Sequence, residues 1–369
     1  MRKLLIVLAA FALVVAYTLP AMAADWGFYG SARMTTFMDD VDPGGGAESD
    51  ADLTWALQGN SRFGATVKAG EVGGGFEYGT GINLRKLYGT MPLGGGTLLV
   101  GQTYSPVNLF YSNQVWGGDA GLLDVGGVYG GRRAMLQYSV GSLKVALVQP
   151  VSPSVVPVAS AAGFAFDPTT GGTTAVAAVA GAGAINTNTT MPKIEASYGL
   201  KLGPAALKFV LGYNSYEEEA AAKSYDINSM VLGVGFNVGF GAVSIGGNVY
   251  TGTNTGNYGL WQRGADDATY NATNDDIDDC STMGYMLVVG FKTSDTLKFE
   301  LGYGYNEHES DATGAKADDS SAMYAQAVLT MAKGVYIVPE IGVVDLGDDA
   351  AGNEEGEITY FGAKWQINF

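Results

Sequence analysis

Few side chains in this chain are suited to acid–base or nucleophilic chemistry. It contains one histidine, His308, and one cysteine, Cys280. His308 stands between Glu307 and Glu309 with Ser310 nearby, so the enzymatic arrangement to weigh is a serine hydroxyl activated by an imidazole. Cys280 has no basic neighbour in sequence to stabilise a thiolate. Because one isolated histidine beside a polar loop is weak support for catalysis, the sequence predicts that this chain is not an enzyme.

An acidic run in the second half of the chain offers a different chemistry. Six aspartates fall within residues 266–279. Clustered carboxylates can bind Ca²⁺, but their spacing lacks the regular ligand pattern of known calcium loops. A solvated acidic surface is therefore the favoured interpretation, with calcium as the minor one and no other cofactor expected. The candidate calcium ligands are Asp275, Asp276, Asp278 and Asp279.

Most other charged side chains stand inside segments that alternate between apolar and polar residues. In residues 25–38, Trp26 and Phe28 share one face, whereas Ser31 and Arg33 share the other. A period of two over this length is the signature of a strand that is apolar on one face only. The same parity places charged and amide side chains from other segments on polar faces: Arg62, Arg133, Gln137, Lys193, Glu195, Lys208, Lys298 and Glu300.

The carboxyl-terminal segment shows this alternation clearly. Every second residue from Phe361 to Phe369 is apolar, and the residues between, such as Lys364 and Gln366, are small or polar. Such a strand has one oily face and one wet face, and it ends on an aromatic residue. This pattern is typical of a transmembrane β-barrel, whose strands face lipid outside and water inside.

The amino terminus has the pattern of a secretory signal. A basic start precedes an apolar stretch from Leu4 to Ala16, and Ala21-Met22-Ala23 has the small-x-small form of a cleavage site. The stretch is short against the roughly 20 residues of a membrane-spanning helix, so a retained anchor is the less favoured alternative. We therefore expect a removed signal at residues 1–23 and a single barrel domain over residues 24–369.

Composition narrows the class of protein further. The chain has 369 residues, 55 Gly and 21 Tyr, and its formal net charge is −17. Tyrosine suits the membrane interfaces of a barrel, and glycine suits its curvature and tight turns. With no basic excess to neutralise phosphates, nucleic acid is not expected as a partner. A single cysteine cannot form an internal disulfide, so stability must come from the closed sheet.

The alternating segments predict an all-β fold, a transmembrane antiparallel barrel of about sixteen strands. Short turns alternate with longer loops, which collects the long loops at one end and both termini at the other. Fourteen or eighteen strands are alternatives because residues 73–91 are weakly patterned. The predicted strands are 25–38, 52–69, 73–81, 83–91, 96–104, 132–140, 143–150, 191–201, 205–216, 225–238, 242–252, 282–293, 297–307, 321–332, 335–345 and 357–369. The predicted longer loops are 39–51, 105–131, 151–191, 217–224, 253–281, 308–320 and 346–356.

A barrel of this size predicts a hydrated lumen. A lysine or arginine on the lipid face at the bilayer midplane costs roughly 2–4 kcal/mol, so Arg33 and Arg62 are expected to point inward. About sixteen strands also enclose more space than side chains alone can fill. The loop 105–131 mixes apolar residues with Asp119 and Asp124, which suits a loop that packs partly against the inner wall.

Taken together, these features resemble the general bacterial porins. The resemblance rests on the signal, the alternating segments, the long third loop and Phe369, and it covers the whole chain. It implies a third loop folded into the lumen, where its acids face a basic cluster across a pore constriction. Carried over to this sequence, the acidic side is Asp119 and Asp124, and the basic side is Arg33, Arg62, Arg85 and Arg133. An ordinary salt bridge that steadies the wall is the competing interpretation for each arginine.

The expected function is therefore an outer-membrane channel for passive diffusion of small hydrophilic solutes and ions, with both termini in the periplasm. Expected partners are outer-membrane lipid and lipopolysaccharide, and the resemblance implies a homotrimer. One alternative is a surface receptor or structural barrel with a plugged lumen that acts through its external loops. Another is a substrate-specific porin, which a row of lumenal aromatic residues would favour. The visible aromatic residues fall mostly on the lipid face.

Two further features leave alternatives open. The loop 151–191 is unusually apolar, which favours contact with a neighbouring subunit, folding over the barrel mouth, or mobility. Ion preference is also divided, because acid-rich loops favour cations at the mouth whereas a basic inner wall favours anions. Because the net charge of the chain is negative, we expect a preference for cations.

Overall fold

The structure is a computed structural model that describes residues 24–44, 50–157, 163–166, 173–176, 185–220 and 223–369. The predicted signal at residues 1–23 lies outside the described residues, as does much of the apolar loop 151–191. None of the helices in the described part of the chain is long and apolar enough to cross a membrane.

Sixteen strands form one closed antiparallel sheet, and a short segment, Ile185–Asn188, extends it by pairing with the end of the ninth strand. The second strand has two segments that both pair with the first strand. The strands are β1 (Asp25–Asp42), β2 (Asp50–Leu57 and Arg62–Ala69), β3 (Val72–Gly79), β4 (Leu84–Leu93), β5 (Gly96–Tyr104), β6 (Arg132–Val140), β7 (Leu143–Val148), β8 (Lys193–Leu202), β9 (Ala205–Ala220), β10 (Lys223–Phe240), β11 (Val243–Thr253), β12 (Cys280–Lys292), β13 (Leu297–Ser310), β14 (Ala317–Ala332), β15 (Val335–Asp345) and β16 (Glu357–Asn368).

The sheet closes on itself because β1 pairs with β16. Their register runs from Ser31 opposite Asn368 to Asp42 opposite Glu357. Closure extends to the last residue, since the Gly30 N–H donates to the Phe369 carbonyl oxygen at 2.7 Å. A closed sheet leaves no unpaired edge, which a strand in hydrocarbon requires. The predicted sixteen-strand barrel is thus confirmed.

The two faces of the strands follow the predicted alternation. In β12, Met283, Leu287 and Phe291 are exposed on the outside, whereas Met286 and Val288 between them are buried. The charged and amide side chains that parity placed inside, such as those of Gln137, Lys193, Glu195 and Glu300, are buried within the barrel. The strands therefore present an apolar outer surface and a polar inner wall.

The predicted strand 52–69 is interrupted at residues 58–61. Here the chain leaves the ladder, while the Gln58 N–H still donates to the Arg33 carbonyl oxygen at 2.8 Å. The Arg33 N–H in turn donates to the Ser61 hydroxyl at 2.9 Å. The interruption places a short polar segment inside the barrel without opening the sheet.

Two predicted loops are shorter than expected. Residues 217–224 and 308–320 were expected as longer loops, but β9 and β10 continue to Ala220 and from Lys223, and β13 and β14 continue to Ser310 and from Ala317. Pairing between neighbouring strands satisfies the backbone N–H and C=O groups of these polar segments. The barrel wall therefore extends further at these two strand pairs than the polar sequence predicted.

Two loops fill one side of the barrel lumen. Residues 105–131, here called the third loop, and residues 254–279, here called the sixth loop, fold inward. Both contribute buried apolar side chains to clusters with the barrel wall, including Leu122 of the third loop and Tyr258 of the sixth. The remaining open space lies along the opposite wall.

Candidate functional site

The third loop is fixed to the inner wall by three glutamates. Backbone N–H groups of a loop that is buried without a ladder need acceptors, and buried wall carboxylates supply them. Glu195, Glu300 and Glu340 are all at most 4% exposed. The donor and acceptor pairs are Val107 to Glu195 (2.9 Å), Asn113 to Glu300 (2.9 Å), Val115 to Glu340 (2.7 Å) and Trp116 to Glu340 (3.0 Å).

Apolar packing seals the same side of the lumen. Val115, Leu122 and Val125 of the third loop pack in one cluster with side chains from β1, β12 and β14 to β16. The approach is so close that a Cβ at Gly304 would lie 2.2 Å from the Val125 carbonyl oxygen. This side is therefore a packed interface between loop and wall, with no room for a water layer.

The sixth loop closes the packed side further along. The Tyr258 hydroxyl donates to Glu195 at 2.8 Å, and the Lys193 ammonium lies 3.8 Å from the centre of the Tyr258 ring. Lys193 also lies 3.1 Å from Glu195, and both side chains are fully buried. Lys193 and Glu195 thus offset each other's charge where both are buried, as burial requires.

One carboxyl group of the sixth loop titrates unusually. Burial, together with the negative charge of Asp267, raises the pKa of Asp266 to about 7. The Thr255 hydroxyl, 3.3 Å away, donates to the Asp266 carboxylate and opposes this shift. The loop therefore carries a carboxyl group that titrates near neutrality.

The tip of the third loop presents Asp119 toward the other side of the lumen. A short turn, Trp116–Asp119, contains Gly117 and Gly118 at positive φ, and Asp119 itself has φ +63°. Asp119 pairs with Arg33 of β1 and with Lys364 of β16, the latter at 2.8 Å. The left-handed turn, which glycine adopts readily, thus aims a carboxylate at two wall cations.

The interrupted part of β2 holds this tip in place. The Gln58 side chain donates to Asp119 at 3.1 Å, and the Asn60 side chain donates to the Gly118 carbonyl oxygen at 2.7 Å. Because residues 58–61 bulge into the lumen, their amides reach the loop where a regular strand would not.

A second ionic cluster is built on Glu77 of β3. Its carboxylate lies 2.8 Å from Arg85, 3.2 Å from Lys86 and 3.9 Å from Arg62. It also accepts a hydrogen bond from the Tyr29 hydroxyl at 3.0 Å. One buried acid is thereby surrounded by three cations, so this wall keeps a surplus of positive charge.

Two adjoining cavities of about 650 and about 560 Å³ lie between the third loop and the wall formed by β16 and β1 to β6. Both are bounded by Arg33, Arg62, Tyr104 and Gln366. The second reaches Phe369 near the short-turn end of the barrel. The charged side chains that line the two cavities are Arg33, Arg62, Lys86, Arg132, Lys364, Asp119 and Glu77.

Aromatic side chains form one wall of the larger cavity. Tyr104, Phe110 and Tyr129 meet at ring-centroid distances between 5.1 and 6.3 Å, and Trp261 of the sixth loop lies 6.0 Å from Tyr129. Arg132 lies 5.2 Å from the centre of the Tyr104 ring. Strand parity placed the visible aromatic residues on the lipid face, so this lumenal group, which comes mainly from loops, was not expected.

The structure brings together only some of the residues predicted for the constriction. Arg33 and Asp119 are paired, and Arg62, on the strand next to Arg33, lines the same cavity. Arg85 is 4% exposed beneath Glu77 and lines neither cavity. Asp119 is thus the acid of the third loop that faces the open side.

Asp124 and Arg133 lie elsewhere. Asp124 is 5% exposed and pairs with Arg263 of the sixth loop at 2.9 Å. Arg133 donates to the carbonyl oxygens of Gly130 and Gly259, both at 3.2 Å. Neither borders the two cavities, so the structure does not bring them into an opposed pair. Their contacts join the third and sixth loops to each other and to the wall.

The candidate calcium ligands do not converge. Among the residues that the structure describes, no three acidic, histidine or cysteine side chains lie where they could share a metal ion. Hydrogen bonds from the Tyr225 and Tyr270 hydroxyls hold the pKa of Asp275 below its usual range. The other three carboxylates accept separate bonds: Asp276 from the Ile277 N–H (3.0 Å), Asp278 from Asn271 (2.9 Å) and Asp279 from Asn254 (2.7 Å).

His308 is 1% exposed in a network of its own. Its Nδ1 lies 3.0 Å from the Thr282 hydroxyl, and its Nε2 lies 2.7 Å from the Arg263 carbonyl oxygen. The Ser310 hydroxyl instead accepts from the Ala312 N–H at 3.2 Å. The imidazole therefore supports the sixth loop, and the serine and histidine pair that the sequence suggested is not assembled.

Several site residues were missed at the level of sequence. The alternation of the strands placed Glu195 and Glu300 in the lumen. It gave no reason to expect that a loop would cover them. Lys364 was visible as a polar position of the last strand, yet its pairing with Asp119 spans the barrel closure. Glu77 and Lys86 lie in the weakly patterned segment 73–91, where inward-facing charge was the available signal.

Comparisons with known proteins agree with the architecture. A sequence profile described as Gram-negative porin matches residues 9–349. No curated protein sequence matches the chain. Among solved structures, the outer membrane channel DcaP of Acinetobacter baumannii is similar, with a TM-score of 0.70, 16% identity, and coverage of 94% of this chain and 97% of that chain.

Two other solved structures are similar at lower scores. The trimer form of the in-vitro folded outer membrane protein OmpT of Vibrio cholerae has a TM-score of 0.55 at 13% identity, with 94% of this chain and 100% of that chain covered. The anion-selective porin from Comamonas acidovorans has a TM-score of 0.54 at 12% identity, with 94% and 100% covered. At such identities the likeness concerns the fold.

Proposed function

The chain belongs to the Gram-negative porin family, and from that premise we propose that it lets small hydrophilic solutes and ions diffuse passively through its lumen. The family and the barrel make it an outer-membrane channel. The observation that carries the proposal is the pair of adjoining cavities beside the third loop, which are bounded by charged and amide side chains. A solute that keeps its hydration can pass such a surface without losing hydrogen bonds.

We further propose that Asp119 on the loop and Arg33 and Arg62 on the wall form the constriction. Charges that border a narrow aqueous space set a local field there, which orients polar solutes. Arg85 acts on this field through Glu77, which it holds at 2.8 Å. Asp124 and Arg133 contribute by fixing the loops, since both are engaged with the sixth loop.

The proposal includes the form of the mature protein. The mature protein begins after removal of residues 1–23 and comprises one barrel domain over 24–369. It lies among outer-membrane lipid and lipopolysaccharide, with both termini in the periplasm. A homotrimer is proposed because a similar solved barrel is described in a trimer form. No catalytic role is proposed for the chain. Chemical crosslinking of the purified protein tests the trimer.

Single-channel recording in planar bilayers tests the channel proposal. We expect stepwise conductance that scales with salt concentration and falls when neutral polymers small enough to enter the lumen are added. Reconstituted protein that is correctly folded by circular dichroism and yet gives no conductance would refute passive diffusion.

A plugged barrel that acts through its loops is the competing function, and the packed side of the lumen is the observation in its favour. Deletion of residues 155–185 separates the two. A channel keeps its unit conductance after this deletion, because the cavities are bounded by other segments. A receptor that acts through this loop loses its ligand and has no conductance before or after.

A further inference from the structure

Charge on the open side of the lumen is unbalanced. Asp119 is shared by Arg33 and Lys364, and Glu77 is shared by Arg85 and Lys86. Both carboxylates are therefore occupied by cations of the protein itself. Among the described side chains that line these cavities, a permeating cation finds no carboxylate without a cationic partner. The one further carboxylate is the chain terminus at Phe369, which borders the smaller cavity.

Two arginines on this side lack a close acid. The nearest carboxylate oxygen to the Arg62 guanidinium is that of Glu77, at 3.9 Å. For Arg132, no carboxylate oxygen of the described residues lies within 4.0 Å, and its guanidinium donates to the Tyr104 hydroxyl at 3.0 Å. Planar guanidinium groups recognise carboxylates through paired hydrogen bonds, so these two side chains are available to an anionic solute.

Beside these cations lies apolar surface that a simple diffusion pore does not need. Phe110 is 48% exposed and Trp261 is 43% exposed, and both line the larger cavity. Neither belongs to a membrane-spanning strand, so lipid does not explain their exposure. Large exposed aromatic faces inside a hydrated space are typical of binding surfaces.

From this juxtaposition we propose that the larger cavity is a binding slot for small aromatic carboxylates. The carboxylate pairs with Arg132 and Arg62, and the flat ring packs on Phe110 and Trp261. A neutral sugar would use the aromatic faces but not the two guanidinium groups that lack a close acid, whereas a bare inorganic anion would use the guanidinium groups alone. The slot rests on the proposed channel and deepens it, since solutes that dwell there are selected during passage.

The inference reverses the ion preference that the total charge suggested. Acidic residues dominate the sequence, but the lining of the two cavities has five cationic side chains against two acidic side chains and the terminal carboxylate of Phe369. Selectivity depends on the charges next to the permeating ion, because more distant charges are screened over about 8 Å at physiological salt. We therefore expect anions to permeate better than cations.

Benzoate, benzamide and acetate together form the test. Benzamide has the same ring without the charge, and acetate has the same charge without the ring. In planar bilayers with symmetric potassium chloride, benzoate is expected to interrupt the single-channel current in a concentration-dependent way. Benzamide and acetate are expected to require about tenfold higher concentrations, because each lacks one of the two contacts.

Variants assign the effect to the slot. Arg132→Gln and, separately, Trp261→Ala are expected to weaken benzoate block by about tenfold, because each removes one of the two contacts. Arg62→Gln serves as a second charge variant should Arg132→Gln fail to fold. The matched control is Lys292→Gln, which removes a cation from an exposed turn where Lys292 pairs with Asp295.

A binding measurement without any membrane separates this inference from the proposed channel. Calorimetric titration of the detergent-solubilised protein with benzoate is expected to give saturable binding that Arg132→Gln abolishes. Conductance with equal block by benzoate, benzamide and acetate would overturn the slot and leave the channel intact. Absence of conductance together with benzoate binding would overturn the channel alone, and absence of benzoate binding in the titration would overturn the slot in every case.

Discussion

The packed and open sides of the lumen treat charge in opposite ways. On the packed side, Lys193 lies 3.1 Å from Glu195 and Lys298 lies 2.7 Å from Glu300, so each of these acids has one cationic partner. Glu340 instead accepts from backbone N–H groups of the third loop. On the open side, Glu77 alone faces three cations. Both sides are built from the same kind of alternating strand, so strand pattern does not account for the difference.

The difference follows from where the third loop lies. Burial of an unmatched charge is costly, and a buried ion needs a close partner. Where the loop covers the wall, the wall carries partners for its charges and for the loop backbone. Where the loop leaves the wall free, surplus charge keeps its hydration and is tolerated. The loop thereby divides one barrel into a structural side and a side available to solutes.

The largest expected effect comes from releasing the loop on the packed side. Glu300→Ala combined with Glu340→Ala removes the acceptors of three backbone N–H groups of the loop. Because buried N–H groups without acceptors are costly, the loop should detach, and unit conductance should rise by about twofold as the open cross-section grows. Planar-bilayer recording measures this change.

The control for that variant is Glu71→Ala, at an exposed turn between β2 and β3. Its conductance should equal that of the wild type. Unchanged conductance in the double variant would mean that apolar packing around Leu122 holds the loop without the glutamates, and the distinction between the two sides would then rest on packing alone.

A second variant cuts the link between the loop tip and the open side. Asp119→Asn retains a residue that tolerates φ +63° but leaves Arg33 and Lys364 without their carboxylate. Loss of one partner of a largely buried pair should destabilise the protein by about 3 kcal/mol. The measurement is the temperature at which the folded, heat-modifiable band disappears on a denaturing gel.

Asp295→Asn is the matched control for Asp119→Asn. Its carboxylate pairs with Lys292, but the two side chains are 94% and 60% exposed. Exposed pairs of this kind contribute little to stability. An equal loss of thermal stability in both variants would contradict the claim that Asp119 fixes the loop tip to the wall.

A third variant sharpens the claim of surplus charge on the open side. Arg62→Gln removes a cation that lines both cavities. The anion-to-cation permeability ratio should fall by about twofold. The effect is modest because the remaining cations still act within the screening length. The reversal potential in a salt gradient measures the ratio. Lys201→Gln at the exposed end of β8 should leave it unchanged, and a shift of equal size there would contradict a local field.

The smallest expected effect concerns pH and the sixth loop. The pKa of Asp266 is raised to about 7 in the folded protein, so the folded state binds a proton that the unfolded state has already released above about pH 4. Stability of the packed loop should therefore fall as pH rises from about 4 to 7 and level off above that value. The measurement is amide hydrogen exchange of residues 260–270 at pH 5.5 and pH 8. After correction for the intrinsic exchange rate at each pH, exchange should be faster at pH 8.

Asp266→Asn keeps the shape of this side chain and removes its titration. The pH dependence of exchange should disappear in this variant, although His308, Asp267 and Asp318 remain nearby. Persistence of the same dependence would assign it to one of those groups instead.

Much of the fold could be predicted because the membrane makes strict demands on the sequence. Alternation in segments such as Phe361 to Phe369 shows which face of a strand meets lipid. Once that face is known, few folds other than a closed barrel are possible. The interruption at residues 58–61 and the extension of β9 to Ala220 were not predicted, since polar residues mark loops and lumenal strands alike. Part of the apolar loop 151–191 lies outside the described residues, and its role stays a prediction.

The candidate site was predicted only in part. Parity identified Arg33 and Arg62 as lumenal, and the mixed composition of residues 105–131 indicated a loop that packs inward. Parity says which face a side chain occupies but gives no distance across a barrel. For that reason Asp124 was expected to face the arginines, although it pairs with Arg263, a residue that carried no sequence signal.

The sequence by itself determined that the chain forms a closed barrel with an apolar exterior and a charged interior, because period-two alternation is a local property set by contact with lipid and water. Tertiary structure alone decided which interior charges are buried under the third loop and which border open space. That choice depends on contacts between residues far apart in the chain, such as Glu340 with Val115 and Lys364 with Asp119. No local pattern encodes such pairings, because their energy appears only when the barrel has closed around the loop.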